Sequence, residues 1–248
     1  MRKKLKITFL TIFSFVLFLL IFLSIQYTPT YVYRLITMNV ADVYDYKNFE
    51  NHKIQGTKST NTFISQPKEK YVESLFEELV TKTGFNSFKE WAIESQTTAL
   101  IVIKKDTIIY EKYFNGFGRD SYFHSQSMAK SFISFLIGAA IDDGLIKSIE
   151  DPITNYIPEL LERDQRFKKI SIKDLLEMRS GLEYNTSLIP FTNIHSPWHD
   201  EAVGYYHPNV RKLLLENVEI SSEPGKDFQY SNYNTSYLGL ILERATTV

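Results

Sequence analysis

The first strong pattern along the chain is an uncharged apolar run, residues 7–25, directly after a basic N-terminus. At about 1.5 Å of rise per residue, a helix of this length spans the roughly 30 Å hydrocarbon core of a bilayer. A cleaved signal peptide has a shorter apolar region followed by a small-x-small site, and no such pair lies close behind residue 25. We therefore predict an uncleaved single-pass anchor over residues 1–26, with a cytoplasmic N-terminus and the bulk of the chain extracytoplasmic. A cleaved signal with a poor site is the alternative.

The stretch behind the anchor, residues 27–67, is expected to be an extracytoplasmic tether. Tyr27, Tyr31 and Tyr33 are placed at the outer membrane interface, where tyrosine is enriched. Residues 39–67 are polar and show no periodicity. Helical spacing of apolar residues begins at Lys68, so the main folded domain is expected over residues 68–248.

Within residues 68–248 the apolar spacing predicts mostly helices. They are expected at 68–82, 87–94, 128–141, 171–178, 210–215 and 237–245. Two β-rich runs, 99–103 and 107–113, flank a polar Lys-Lys-Asp turn and predict a hairpin. Residues 184–208 are aromatic and aperiodic, so we expect a loop there.

Composition and charge exclude several classes of function. The 248 residues carry a net charge of −1 and include no cysteine. The balanced charge argues against nucleic acid as the main partner, because phosphate binding needs a clustered basic face. The absence of cysteine excludes disulfides, thiolate zinc sites, iron–sulfur clusters and cysteine nucleophiles.

The candidate chemistry begins with Ser127 and Lys130, which are three residues apart at the start of the long apolar helix. On a helix this spacing puts both side chains on one face. A lysine in a dry site can lose its charge and accept the serine proton, and the apolar helix is expected to be buried and to supply that desolvation. An ordinary helix start with an extended lysine is the alternative. A second match, Ser65 and Lys68, contains a proline and cannot lie inside a helix.

A second pair, Tyr230 and Asn232, follows about a hundred residues later. It lies between a Pro-Gly turn and the last apolar helix, where loop side chains can point into a cleft. A tyrosine can relay a proton, and an asparagine can orient a lysine and a substrate. The same Y-x-N pattern at Tyr46 and Tyr113 lies in the tether and at a strand end, respectively.

From about residue 97 to residue 247, the chain resembles the serine β-lactamase and penicillin-binding-protein superfamily, on its class C or esterase-like branch. The resemblance rests on Ser127-Met-Ala-Lys130 and on five further segments in order: Ile141–Ile153, Tyr156–Leu160, Ile170–Leu182, Pro224–Asn232 and Leu238–Arg244. The residues from Phe123 to Lys130 are most similar to 6-aminohexanoate-dimer-hydrolase-like members. This resemblance implies an α/β (α+β) fold with a β-lactamase/DD-peptidase-like helical domain and an antiparallel sheet.

The resemblance also implies a serine hydrolase that forms an acyl-enzyme on an amide or ester bond of a small-molecule or peptide substrate. In that scheme Ser127 attacks the carbonyl, Lys130 and Tyr230 shuttle its proton, and Asn232 positions the substrate amide. The Ser127 backbone N–H supplies one oxyanion donor. The resemblance implies no metal and no cofactor.

One part of the family pattern does not occur in its usual place. In the family, a strand that carries a Lys-Thr-Gly or His-x-Gly motif follows the helical domain and forms one side of the substrate cleft. Here the 16 residues after Asn232 are predicted to be helical instead. Residues 82–84 spell Lys-Thr-Gly before the nucleophile and after a helix. We therefore expect a truncated member with an incomplete sheet, reduced to a two-stranded hairpin with open edges, and with little or no turnover. An inactive member or a membrane-tethered binding protein is the alternative.

Weaker candidates lie in the aromatic stretch 184–208. Trp198, Tyr205 and Tyr206 are candidates for lining the substrate cleft, with surface packing as the alternative. His195 and His199 have helical metal-ligand spacing, but the proline between them argues against a helical pair. No metal site is predicted.

Overall fold

The computed structural model of the chain describes residues 2–38, 41–56, 62–189 and 196–247. Its helices are α1 (Arg2–Gln26), α2 (Pro29–Met38), α3 (Glu69–Thr81), α4 (Phe88–Glu94), α5 (Ala129–Asp142), α6 (Leu160–Arg163), α7 (Ile172–Leu176), α8 (Asp200–Tyr206), α9 (Val210–Glu216) and α10 (Asn232–Thr246). Its strands are β1 (Ile64–Ser65), β2 (Ala99–Lys104) and β3 (Thr107–Tyr113). Two compact units result: a helical unit, residues 1–45 and 125–248, and a sheet unit, residues 46–124.

The sheet unit is built on the predicted hairpin of β2 and β3. The two strands pair antiparallel, with an irregularity in register between Val102 and Ile103. Lys105 and Asp106, which connect them, have φ values of +51° and +55°. Two consecutive residues with positive φ are typical of the tight turns whose twist matches that of a hairpin.

The described sheet has a third strand that the sequence pattern did not predict. Ile64 and Ser65 form β1, which pairs parallel to β3, so the strand order is β1-β3-β2. The backbone N–H groups of Gln66 and Lys68 continue the pairing to β3 at 2.9 and 2.7 Å. The prediction of a two-stranded, purely antiparallel hairpin is therefore wrong. A two-residue strand is too short to show alternation, which is why the sequence did not reveal it.

An aromatic core joins α3 and α4 to this sheet. Phe88 lies 5.0 Å from Phe76 and 5.9 Å from Phe114, measured between ring centroids. Buried residues around it come from α3, α4 and β3: Val72, Val80, Phe88, Ile109 and Tyr110. Ser87 caps the N-terminus of α4 by accepting from the Glu90 N–H at 3.1 Å.

In the helical unit, α10 packs against α5, α7, α8 and α9. A run of fully buried residues underlies this packing: Ile153, Ile157, Leu160, Phe167, Ile170, Ile172, Leu175, Tyr237 and Ile241. At the start of α7 the side chains of Ser171 and Asp174 each accept from the other's backbone N–H, forming a capping box. This confirms the predicted N-cap at Ser171.

Helix α5 follows the predicted span but not the predicted burial. It ends at Asp142, with Gly144 at a φ of +74° behind it, as the Asp-Asp-Gly sequence indicates. Only Ile137 and Ala140 are buried, whereas Phe132 and Phe135 are 66% and 81% exposed. The expectation that a buried α5 desolvates Lys130 is therefore wrong for the described structure.

The N-terminal 45 residues contain two helices. Residues 4–26 within α1 are long and apolar enough to cross a membrane, a property that a signal sequence shares. Only two residues separate α1 from α2, which the sequence pattern did not predict and which lies in the range expected to be tether. Tyr31 of α2 is fully buried within the protein, whereas Tyr33 is 67% exposed.

Residues 200–206 form α8, in a stretch where we expected only loop. His199 begins the helix by accepting from the Glu201 N–H through Nδ1 at 3.2 Å. The buried residues Ala202, Val203 and Tyr206 recur at helical spacing, but seven residues between two prolines are too few for a clear period.

Candidate active site

Ser127 lies in a tight turn that runs directly into α5. Residues Gln126–Met128 form a single 3₁₀ turn, and the Met128 N–H donates to the Ser125 carbonyl at 3.1 Å. Gln126 has a φ of +47°, in the left-handed region that non-glycine residues adopt at a cost. Such strain concentrates at functional sites, and here it immediately precedes an exposed serine hydroxyl.

Around this hydroxyl the structure brings together the four residues of the two sequence pairs. Tyr230 Oη lies 2.8 Å from Ser127 Oγ. Lys130 Nζ donates to Ser127 Oγ at 3.1 Å and to Asn232 Oδ1 at 2.6 Å. The Lys130 ammonium also lies 5.0 Å from the centroid of the Tyr230 ring, within the range of a cation–π interaction.

The loop that carries Tyr230 is held by the loop behind α7. The Gln229 N–H donates to the Met178 carbonyl at 2.8 Å, and its side-chain amide donates to the Tyr184 carbonyl at 3.2 Å. Ser231, which is buried, caps α10 by accepting from the Tyr233 N–H at 3.1 Å. Tyr230 and Asn232 therefore flank a helix cap, and this geometry fixes the direction in which each side chain points.

Gly181, in the loop behind α7, lies very close to the backbone of Ser222. It has a φ of +73°, and an added Cβ would lie 2.4 Å from the Ser222 carbonyl oxygen. The Gly181 carbonyl accepts from the N–H groups of Ser221 and Ser222 at 2.9 and 3.1 Å. Glycine is required here for both its conformation and its lack of a side chain.

The electrostatic environment favours proton removal by Tyr230. The hydrogen bond with Ser127 and the nearby Lys130 ammonium hold the pKa of the Tyr230 phenol below its usual value of 10. A lowered pKa makes phenolate more available near neutral pH, as a general base requires. The arrangement can therefore move the Ser127 proton to an ionised Tyr230, with the Lys130 ammonium stabilising the phenolate.

The weaker candidates have other surroundings. Trp198 is half exposed and lines a cavity of about 280 Å³ together with Tyr27, Asp200 and Tyr233. The hydroxyl of Tyr205 donates to Asp45, and that of Tyr206 donates to the Met38 carbonyl. These contacts do not support the prediction that the two tyrosines line a substrate cleft.

The two remaining motifs have structural roles or fall outside the structure. His195 lies outside the described residues, and His199 caps α8. Lys82 and Thr83 end α3, and Gly84 follows with a φ of +93°, so this Lys-Thr-Gly terminates a helix rather than forming a strand. Among the described residues, no group of three His, Asp or Glu side chains is arranged to hold a metal ion.

Sequence reasoning missed one buried and one partly buried hydrogen-bonded pair next to the site. Ser180 donates to Asn234 Oδ1 at 2.5 Å, and both residues are almost fully buried. Tyr233 donates to Asp200 Oδ1 at 2.7 Å. The available signal was the position of Tyr233 and Asn234 at the start of an apolar helix, because a polar group that becomes buried needs a hydrogen-bond partner.

A family model matches the part of the chain that contains this site, and curated relatives also match the chain. The family model described as Beta-lactamase matches residues 73–247, which include all four residues at the site. The chain belongs to the Beta-lactamase family. The 6-aminohexanoate-dimer hydrolase of Paenarthrobacter ureafaciens is 29% identical over 159 residues, covering 62% of this chain and 39% of that protein. Protein flp of Staphylococcus aureus strain N315 is 27% identical, covering 48% of this chain and 22% of that protein.

A solved structure supports the same fold for this Beta-lactamase family chain. A Bacillus anthracis protein described as a 6-aminohexanoate-dimer hydrolase aligns with a TM-score of 0.54 and 21% identity. The alignment covers 76% of this chain and 49% of that one. The chain thus spans two fifths of its first curated relative and half of this structural relative.

Proposed function

We propose that the chain carries the acylation machinery of a membrane-anchored serine hydrolase that cleaves an amide or ester bond. The observation that carries the proposal is the position of Ser127 Oγ, 2.8 Å from Tyr230 Oη and 3.1 Å from Lys130 Nζ. A serine hydroxyl is a weak nucleophile unless a neighbouring base accepts its proton, and the Tyr230 phenol, once ionised, is a base within hydrogen-bond distance of it.

In the proposed cycle Ser127 Oγ attacks the substrate carbonyl carbon while its proton passes to Tyr230. Asn232 holds the Lys130 ammonium through Oδ1, and Lys130 in turn stabilises the Tyr230 phenolate. Collapse of the tetrahedral intermediate expels the amine or alcohol, which takes the proton back from Tyr230. Water then attacks the acyl-enzyme while Tyr230 takes its proton, and Tyr230 returns that proton to Ser127 Oγ as the acid leaves. The Ser127 backbone N–H contributes one oxyanion donor.

The proposed substrate class, small amides and esters, rests on the carbonyl chemistry of the site and is consistent with the name of one relative. The Paenarthrobacter ureafaciens relative is named for hydrolysis of a 6-aminohexanoate dimer. A Ser–Lys–Tyr site acts on a carbonyl rather than on a particular acyl group, so we propose small amides and esters as a class. The anchor is proposed from the length and composition of α1.

A burst experiment tests this proposal. The full chain in detergent is mixed with a chromogenic ester, and the leaving group released before steady state is measured. We expect release of one equivalent per chain, which Ser127→Ala abolishes while leaving the thermal unfolding curve unchanged. Release that survives Ser127→Ala would contradict the proposal.

A second candidate function is a non-catalytic member that binds without turnover. It is favoured by the exposed apolar face of α5, where Phe132 and Phe135 are 66% and 81% exposed, and by the small open sheet. A folded chain that shows no burst but binds substrate would favour this candidate.

A further inference from the structure

Helix α2 is amphipathic, and its apolar face is covered within the helical unit. Tyr31, Val32 and Leu35 are buried, whereas Tyr33 and Ile36 on the same helix are 67% and 64% exposed. The buried face packs against α8. A freely moving tether would leave both faces equally exposed, so this segment is an integral part of the helical unit.

Polar contacts fix α2 to α8. The Tyr31 hydroxyl donates to the Pro197 carbonyl at 2.5 Å, just before α8. Arg34 Nη1 donates to the Tyr206 carbonyl at 3.2 Å, where a cation is favourable because the carbonyls at a helix C-terminus carry partial negative charge. The Tyr206 hydroxyl donates back to the Met38 carbonyl at the end of α2.

Asp45 completes this attachment. Its carboxylate is 4% exposed and accepts from the Tyr205 hydroxyl and from the Asp42 N–H, each at 3.2 Å. A carboxylate is buried at a cost unless hydrogen bonds compensate, so these contacts define one position for it. We call residues 29–38 and 41–45 the strap.

From α8 a second set of contacts reaches the active site. Asp200, the first residue of α8, accepts from the Tyr233 hydroxyl at 2.7 Å and from the Asn185 N–H at 2.5 Å. Burial and the Asp200 carboxylate raise the pKa of Tyr233, so its hydroxyl stays protonated and donates. The Tyr233 ring, 3% exposed, also packs edge-to-face on Tyr184 at 5.3 Å. Its neighbour in the chain is Asn232, which holds Lys130.

We propose that the strap, acting through α8 and the Asp200–Tyr233 hydrogen bond, positions Asn232 beside Lys130. Tyr233 and Asp200 are then positioning residues, and the segment that joins α1 to the catalytic unit is part of the support of the active site. The catalytic consequence rests on the proposed function, whereas the mechanical link between strap and α10 does not.

Hydrogen exchange on the full chain in detergent tests the mechanical link. Tyr31→Ala removes a buried ring, and Tyr33→Ala on the opposite face of α2 is the matched control. We expect Tyr31→Ala to speed amide exchange at least about tenfold in peptides covering 200–206 and 229–236, with residues 149–176 unchanged. Tyr33→Ala should change none of them. Equal exchange at 229–236 in the two variants overturns the inference.

The kinetics of Ser127 labelling by a fluorophosphonate probe test the positioning role. We expect Tyr233→Phe to lower the maximal labelling rate about 10- to 100-fold, with the probe concentration at half-maximal rate and the final labelled fraction unchanged. Asp200→Ala should behave alike, and Asp200→Asn, whose amide oxygen still accepts from Tyr233, should recover most of the rate. A purely structural role would lower the labelled fraction instead.

The hydrogen-exchange and labelling experiments together distinguish a failure of this inference from a failure of the proposed function. Labelling of Tyr233→Phe at the wild-type rate overturns the positioning role. A wild-type chain that takes no label counts against the proposed function, and the exchange result at 229–236 then supports or overturns the link to the strap.

Discussion

At the scale of single residues, the site depends on a tyrosine whose environment is set by two neighbours. Ser127 and Lys130 are on consecutive turns, and their proximity follows from sequence spacing alone. The loop context made Tyr230 and Asn232 candidates for the same site, but the pairing across about a hundred residues became specific only with the resemblance, because no local rule predicts which loop meets which helix. The hydrogen bond with Ser127 lowers the Tyr230 pKa, which the sequence could not show.

Replacing the Tyr230 hydroxyl should remove most of the acylation rate. Because a positioned general base contributes about 10²–10⁴-fold, Tyr230→Phe should slow Ser127 acylation by that factor. In the unmodified chain the rate should rise with pH to a plateau whose midpoint lies below 10, since the phenolate is the active form and its pKa is lowered. Tyr230→Phe should remove this rise.

Tyr156→Phe is the matched control for that measurement. The Tyr156 hydroxyl donates to Asp151 at 2.9 Å, and this variant should acylate at the wild-type rate. An unchanged pH profile in Tyr230→Phe would show that another group accepts the Ser127 proton.

At the scale of elements, periodicity predicted the elements with a clear apolar repeat, missed two short helices, and placed the start of α10 at 237 although the helix begins at Asn232. The helices α3, α5 and α9 and the β2–β3 hairpin lie within a residue or two of their predicted bounds. Helices α2 and α8 were missed, although Pro29 at the first position and buried residues at helical spacing marked α2. Both helices lie in stretches that were predicted to be tether or loop, and in helices this short tertiary packing contributes most of the stability.

Gly181 should tolerate no side chain. Gly181→Ala places a Cβ 2.4 Å from the Ser222 oxygen at a φ of +73°, which should destabilise the protein by about 1–3 kcal/mol. At about 2–4 °C per kcal/mol, the melting temperature should fall by several degrees. Gly138→Ala in α5 has nothing within 4 Å and should be neutral or stabilising. Equal melting temperatures for the two variants would mean that the backbones of Gly181 and Ser222 are further apart than the structure shows.

The exposed face of α5 should tolerate polar substitution. Phe135 is 81% exposed and Ile137 is 1% exposed, two residues apart on the same helix. Phe135→Ser should change the free energy of unfolding by less than about 0.5 kcal/mol, whereas Ile137→Ala should cost about 2–5 kcal/mol. Chemical denaturation measures both. A similar loss in Phe135→Ser would show that another surface covers this face in solution.

At the scale of the whole molecule, an apolar helix is joined to a Beta-lactamase family unit that covers about half of its structural relative. The joining segment is not a simple tether, because α2 packs against α8 through its buried face. Sequence composition predicted the apolar helix, but the attachment depends on contacts between residues more than 160 positions apart, such as Tyr31 with Pro197.

The full chain should partition into membranes. Expressed with α1 intact, it should resist extraction by alkaline carbonate, because the 23 residues from Lys4 to Gln26 are long and apolar enough to cross a bilayer. Protease added outside should reach the helical unit. Replacing two central residues of α1, Phe15 and Phe18, with aspartate should release the chain. A chain that is fully extracted without these changes would contradict the anchor.

The central claim is that Ser127 is an activated nucleophile, and covalent labelling tests it most directly. The full chain is treated with a fluorophosphonate, and the adduct is located by intact mass and peptide mapping. The account predicts one adduct per chain, on Ser127, absent in Ser127→Ala and at least about a hundredfold slower in Tyr230→Phe. A folded chain that takes no label, or takes it on another residue, would contradict the account.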